Sequence, residues 1–430
     1  MQTSRKSIGL VGAVAIGIGG MVGGGIFAVL GEAVSLSRGA TPLAFLFGGI
    51  VALLTALSYA RLSVAYPGRG GTVTYIDNAF GNTLASGSVN LMLWLSYLVT
   101  IALYAVAFAA YAHTFFPDGP PLLRHILISA AIVLPTAINL VSSTFVSRSE
   151  SFIVGIKMLL LAVIIVSSLP YLQAAPFEPR HWGPLFSIVS AGMIIFVAYE
   201  GFELIANASE DIADPKRNLP RAFVLSVLIV IALYVLIAAV TVSTVPEAVL
   251  EKAKDYALAV AAQPALGHGG FILVAVAALL ATFSAINATI YGNARLGYTL
   301  AKDGRLPEAF DAERRNEPFI GILATMAAAL LIANTFDLTE IAIIGSAGFL
   351  LIFALVNAAA LKLAEATGGN RFLHLSALLL SACALAILLY HTWEENGRAV
   401  IIFGGFIALS VLFESLYGRR VRGHFLDRPY

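Results

Sequence analysis

Two glutamates three residues apart, Glu200 and Glu203, stand in the apolar run Phe196-Val197-Ala198-Tyr199-Glu200-Gly201-Phe202-Glu203, and one lysine, Lys157, interrupts Val154, Ile156, Met158, Leu159 and Leu160. Charge in such surroundings is costly, at least ~2.5 to 3.5 kcal/mol at a bilayer centre on insertion scales. These three side chains are therefore candidates for holding a charged ligand or carrying a proton. A third feature is built from main chain alone: the tract Gly17-Ile18-Gly19-Gly20-Met21-Val22-Gly23-Gly24-Gly25 sits inside the first long apolar segment. Each glycine costs roughly 1 kcal/mol against alanine in a helix interior. Backbone groups freed by a break in a membrane must also find other partners. The tract predicts an interrupted helix whose free N–H and C=O groups meet something polar. A competing reading treats Gly19 and Gly23, or Gly20 and Gly24, four apart, as a close helix-packing face. A dinucleotide fingerprint through Gly23, Gly25 and Ala28 is discarded, because no strand precedes it.

The elements that must position these residues are membrane helices. Of 430 residues 59% are hydrophobic and 12% charged, about half the charge of an ordinary globular chain. A net charge of +1 with no basic stripe argues against a nucleic-acid partner. Cys383, the single cysteine, excludes an intrachain disulfide and a cysteine zinc cluster. No metal or cofactor is called for. The sequence lacks HExxH, GxSxG, paired intramembrane aspartates and the GxxxxGK[ST] loop, so neither an intramembrane enzyme nor an ATP-driven pump is expected.

Helices that cross a bilayer need ~20 apolar residues, and twelve such stretches are expected: 8–31, 40–66, 84–115, 122–141, 150–172, 185–208, 221–245, 269–300, 319–335, 339–362, 372–392 and 398–417. Arg5 and Lys6 before the first stretch resemble a signal peptide, but no small-residue cleavage site follows, and a retained first helix is expected. An even count puts both termini on one side. Nineteen of the 26 Lys and Arg residues fall on that side and six on the other, with Lys157 inside a span, so both termini are expected in the cytoplasm.

The break near Gly201 in the sixth span matches the break in the first. Interrupted helices five spans apart run in opposite directions, the pattern of an inverted five-helix repeat with a midplane site. The chain is read as one membrane domain: residues 1–172 form the first repeat, 185–362 the second, and 372–417 two additional helices. Half-helix ends give this site a polarity. N–H groups at Gly23, Gly24, Gly25 and Ile26 suit a carboxylate, and carbonyls near Gly20, Met21, Val197 and Ala198 suit an ammonium. An amino acid carries both groups.

These motifs resemble the amino acid/polyamine/organocation (APC) transporters of the LeuT-type five-plus-five fold. The resemblance rests on Gly20-Met21-Val22-Gly23-Gly24-Gly25-Ile26-Phe27 and on Ala198-Tyr199-Glu200-Gly201-Phe202-Glu203, continuing through Asn207, Glu210, Pro215, Lys216, Asn218, Pro220 and Arg221. Tyr59-Ala60, Pro67, Gly70-Gly71-Thr72 and Asn287 to Gly292 extend it over the whole chain. It is most similar to the prokaryotic, proton-coupled, sodium-independent ApcT-like branch.

The resemblance implies a secondary active amino acid transporter of the cell membrane, working by alternating access, with an amino acid and a proton as its partners. Proton-independent exchange and, further off, amino acid sensing are the alternatives, and the oligomeric state is left open. Gly20, Met21, Gly23, Gly24, Gly25, Ile26, Val197, Ala198 and Gly201 would hold the substrate backbone, with Phe196 and Tyr199 lining or gating its pocket. Glu200, if it faces the ligand, would favour cationic side chains. Tyr104, Phe108, Phe202 and Glu203 are possible pocket or gate residues; Glu203 could instead cap the inner half-helix of the sixth span. Lys157, flanked by Gly19 and Ser284, matches the lysine that proton-coupled relatives place where sodium-coupled members hold a cation. Snorkelling of its stem toward the interface is the bland alternative. Ser284, Asn287 and Tyr291 form a polar face on the eighth span, directed at helices 1 and 5 or at interhelical hydrogen bonds.

Overall fold

The computed structural model of the protein describes residues 8–68, 70–81, 83–141, 143–314 and 317–422, and the side chains of these apart from 141–152, 314, 317 and 418–422. Of the basic residues that orient the chain, Arg5, Lys6, Arg69, Arg315 and Arg428 lie outside the described residues. The side chains of Arg148, Arg314, Arg419, Arg420 and Arg422 do so as well.

The described chain is nearly all helix, in the order α1 Leu10–Met21, α2 Gly25–Ser37, α3 Thr41–Ala65, α4 Gly71–Phe80, α5 Leu84–His113, α6 Pro121–Val141 and α7 Ser143–Ser168. There follow α8 Leu185–Ile194, α9 Leu204–Asn207, α10 Pro215–Thr244, α11 Glu247–Lys252, α12 Ala257–Ala261, α13 Gln263–Lys302, α14 Phe319–Thr335, α15 Leu338–Lys362, α16 Ala364–Thr367 and α17 Arg371–Arg422. A two-residue antiparallel pairing of β1 Glu313–Arg314 with β2 Glu317–Pro318 is the one hairpin among the described residues.

Among the described residues nine helical stretches are long and apolar enough to cross a membrane, one of them the interrupted run Leu185–Asn207 that holds α8 and α9, and ten when α1 and α2, bent by 52°, count as one. The sequence predicts twelve, and the difference has two sources. α14 has 17 residues, short of the ~20 that a full crossing takes. α17 runs through the two last predicted spans with a non-helical residue, Asn396 (φ −145°, ψ 70°), between them.

Local chemistry starts and stops these helices where the apolar pattern demands. Thr83 and Ser86 form a reciprocal cap at the start of α5, and Asp337 and Glu340 do so at the start of α15, each satisfying two N–H groups that a helix start leaves unpaired. α5 is buried along most of its length and packs against α13, α15 and α6, as the central post of the bundle. Around Tyr59 of α3 the rings of Tyr75, Phe202, Phe223 and Phe353 meet at centroid distances of 5.8, 5.5, 6.1 and 5.7 Å. This cluster fixes the chain just beyond Gly201.

One end of the bundle is closed by the connection between α10 and α13. Lys254 pairs with Glu32 of α2, the Thr339 hydroxyl donates to Glu32 at 2.8 Å, and the Lys254 ammonium donates to the Thr339 hydroxyl at 3.2 Å. Gly31 lets the main chain of Lys254 lie directly on α2, where a Cβ would collide with it. Burial pushes the carboxyl of the neighbouring Asp255 above its usual range, against the opposing pull of Arg124 and Lys254. Elsewhere a buried ion pair, Arg305 Nη2 to Asp77 Oδ1 at 2.8 Å, joins the end of α13 to α4, and the Asn90 amide also donates to Asp77 at 3.2 Å.

Candidate binding site at two broken helices

The first break is an absence of side chains. α1 ends at Met21, Val22 leaves helical geometry (φ −83°, ψ 44°) while its N–H still reaches Ile18, and α2 starts at Gly25. The second break lies between α8 and α9: residues 195–199 tighten into a 3₁₀ turn, Glu200 becomes extended (φ −61°, ψ 144°), and Gly201 takes φ +116°. That φ strains any residue with a Cβ.

The two breaks touch through main chain. A Cβ on Gly20 would lie 2.5 Å from the Gly201 carbonyl oxygen, and one on Gly201 would lie 2.6 Å from the Met21 nitrogen. Gly25 approaches Ala198 as closely, its missing Cβ 2.8 Å from the Ala198 Cα. These glycines are therefore required by contact between spans.

Tyr234 of α10 joins the breaks by hydrogen bonds. Its hydroxyl lies 2.7 Å from the Met21 carbonyl and 3.1 Å from that of Ala198, donating to the one or the other. Ser346 of α15 accepts from the Val197 N–H at 2.9 Å and donates to the Ile194 carbonyl at 2.6 Å, satisfying two backbone groups that the second break releases. Neither residue stood out in the sequence. A lone tyrosine in the seventh apolar stretch was the available signal, since a buried tyrosine hydroxyl needs a partner. Ser346 was concealed among Gly345, Ala347 and Gly348.

Among the described residues, the N–H groups of Gly23 and Gly24 donate to no acceptor in the protein. Tyr104 of α5 closes over them, its ring against Gly24 and its hydroxyl 3.5 Å from the Cβ position of Gly23, where Ala285 of α13 also lies 3.1 Å away. The Tyr104 hydroxyl reaches Glu200 Oε2 at 3.5 Å. Glu203 accepts from the Tyr97 hydroxyl at 3.2 Å and from the Gly201 N–H at 2.8 Å. It braces the turn across its own break and makes no side-chain cap to α9.

Not every candidate converges on this point. The Tyr199 hydroxyl donates to the Phe45 carbonyl at 2.7 Å, and its ring lies over Gly48 and Gly49 of α3. Phe196 and Phe202 both pack on Phe353. Phe108 is half-buried against Phe283, centroids 6.4 Å apart. Lys157 is buried, 3% exposed, on α7. Val154, one turn before it, meets Gly19, whose missing Cβ would lie 3.0 Å from a Val154 methyl. Ser284 is buried beside Ala285 on α13. Asn287 turns to α6 instead, its carbonyl and side-chain oxygens facing the Asn139 amide at 3.1 and 2.8 Å. The site is closed: Met21, Val22, Ile26, Phe196, Val197 and Ala198 are all fully buried.

A multi-pass helical membrane protein with two spans unwound at the same place has the means to hold a small polar ligand by main chain. The chain belongs to the amino acid permease family, whose model matches residues 8–414. It is 35% identical to the inner membrane transport protein YbaT of Escherichia coli, over 96% of each chain. An uncharacterized protein of Methanocaldococcus jannaschii is also 35% identical, over all of this chain and 99% of its own. The large neutral amino acids transporter small subunit 2 of mouse is 29% identical over 78% of this chain and 66% of its own. The protein is an amino acid transporter, not an enzyme.

Proposed function

We propose that the protein is a proton-coupled, sodium-independent amino acid symporter of the cell membrane that works by alternating access. In this reading α14 and the two halves of α17 complete twelve spans, residues 1–172 and 185–362 are inverted five-helix repeats, residues 372–417 add two helices, and both termini are cytoplasmic. The single observation that supports it most is the main-chain contact of the two breaks at Gly20 and Gly201 beside the N–H groups of Gly23 and Gly24. A substrate carboxylate takes those N–H groups, its ammonium takes carbonyls at Gly20, Met21, Val197 or Ala198, and the Tyr234 hydroxyl competes for two of these when the site is empty. The packed glycines let one bundle rock against the other with no side chain to clear.

Lys157 carries the proton in this reading. It lies one helical turn beyond the Val154–Gly19 contact, so a change in its charge is felt at the end of α1. Uptake of a labelled amino acid into proteoliposomes, with and without an inward proton gradient, tests the assignment. Gradient-driven accumulation that is lost in Lys157→Ala is expected. Uptake indifferent to the gradient favours exchange, and a Lys157→Ala protein still driven by the gradient removes the lysine from the mechanism.

A further inference from the structure

Glu200 and Glu203 are both buried, at 5% and 2% exposure, but their surroundings give them different work. Both oxygens of Glu203 serve the fold, one facing the Tyr97 hydroxyl and the other the Gly201 N–H. Glu200 instead turns Oε2 toward the Tyr104 hydroxyl at a long 3.5 Å, with the Glu203 carboxyl as its other neighbour. Among the described residues no lysine, arginine or histidine forms an ion pair with either carboxyl. The protein thus buries two acidic groups at the break without supplying a positive charge for them. A buried charge is tolerated when it is paired.

The position of Glu200 indicates what supplies that charge. The Tyr104 hydroxyl stands between the Glu200 carboxyl and the first break, 3.5 Å from the one and 3.5 Å from the Cβ position of Gly23. A substrate whose carboxylate rests on the Gly23 and Gly24 N–H groups therefore has Glu200 within reach of the end of an unbranched side chain. We propose that Glu200 is the specificity-determining residue of this site and selects amino acids with a cationic side chain, an ammonium or guanidinium received between Glu200 and the Tyr104 hydroxyl. A neutral side chain at the same place gains no such pair and leaves the carboxyl to its neighbours Tyr104 and Glu203. The proposal rests on the amino acid transport reading above and adds the substrate class to it.

Competition against labelled substrate in proteoliposomes tests it, with two matched pairs: lysine against norleucine, and arginine against citrulline. The cationic member is expected to compete at least about tenfold better in the wild-type protein, the scale of one charge-assisted hydrogen bond. In Glu200→Gln the order inverts: lysine weakens and norleucine strengthens. Glu200→Asp, which keeps the charge and withdraws it, is expected to retain cation preference but to shift it from lysine toward the longer arginine. Wild-type protein that does not favour the cationic member overturns the proposal before any variant is made. So does a Glu200→Gln protein that keeps the wild-type ratio while losing its response to a proton gradient, because Glu200 then handles protons. Failure of every amino acid, cationic or neutral, to compete rejects the transport reading itself.

Discussion

The two breaks solve one problem by opposite means. The first is made by subtraction: Val22, Gly23 and Gly24 separate α1 from α2, and the unwound chain is held by side chains from elsewhere, Tyr104 of α5 and Tyr234 of α10. The second is made by addition: one glycine at φ +116°, a 3₁₀ turn before it, and a glutamate that accepts the N–H of residue 201 from two positions away. The first break depends on its neighbours for its shape, while the second carries part of its own bracing and adds Ser346, Tyr97 and the Tyr234 hydroxyl that it shares with the first.

The contact shared by both breaks is the most sensitive point. Gly201→Ala places a methyl against Gly20 and Met21 at a φ that side chains rarely adopt, so strain and overlap together are expected to cost about 3 kcal/mol. Uptake should be abolished and the denaturation midpoint in detergent lowered. Gly267, at φ +62° with open space around it, is the matched control; its alanine variant should bear backbone strain alone and stay active. Comparable losses in the two would mean that strain, and not contact between the breaks, matters at Gly201.

Tyr234→Phe is expected to have the next largest effect, because it removes the hydroxyl that reaches both breaks while leaving the ring in place. A loss of about 1 to 2 kcal/mol is expected, and ligand-induced stabilisation should partly restore it, since a substrate ammonium reaches the same carbonyls. A variant as stable as wild type would show that the first break does not rely on its neighbours.

The smallest effect is expected at the connection that lies on α2. Burial raises the Asp255 carboxyl above the ordinary aspartate value of 3.8, so its charged form disfavours the folded connection. Its contribution is fully present below pH 3.8 and is lost as the pH rises through the shifted value. Asp255→Asn should therefore stabilise the protein slightly at pH 8 and make no difference near pH 3.5. A midpoint difference that is largest at low pH would reverse the assignment.

Much of this architecture is legible in the sequence because lipid makes helix the only economical choice for an apolar run, and a costly glycine tract inside one marks its break. The family was readable from the Gly20–Phe27 and Ala198–Glu203 motifs for the same reason: main-chain contact leaves a mark in residue type. What was not legible depends on distance in the chain. Tyr234 reaches Met21 across 213 positions, and Ser346 meets Val197 across 149; in an apolar span either residue looks like ordinary packing. Pattern gave Glu203 a cap on the inner half-helix as one role, and the unwinding at Gly201 turns its carboxyl instead to the Gly201 N–H and the Tyr97 hydroxyl. The span count diverged where length is marginal, at the 17 residues of α14, and where the kink at Asn396 runs two expected helices together.

The 52° bend between α1 and α2 bears on how the protein is made. The halves have 12 and 13 residues, about 18 to 20 Å of helix each, and neither alone crosses a hydrocarbon layer of about 30 Å. At the translocon the two must enter as one continuous span, because a kink with bare N–H groups has no partner in lipid. Gly201, Ala198 and Tyr234 emerge from the ribosome long afterwards. The order expected from these lengths is a first span that inserts straight and unwinds late, when the second half of the chain arrives to receive it.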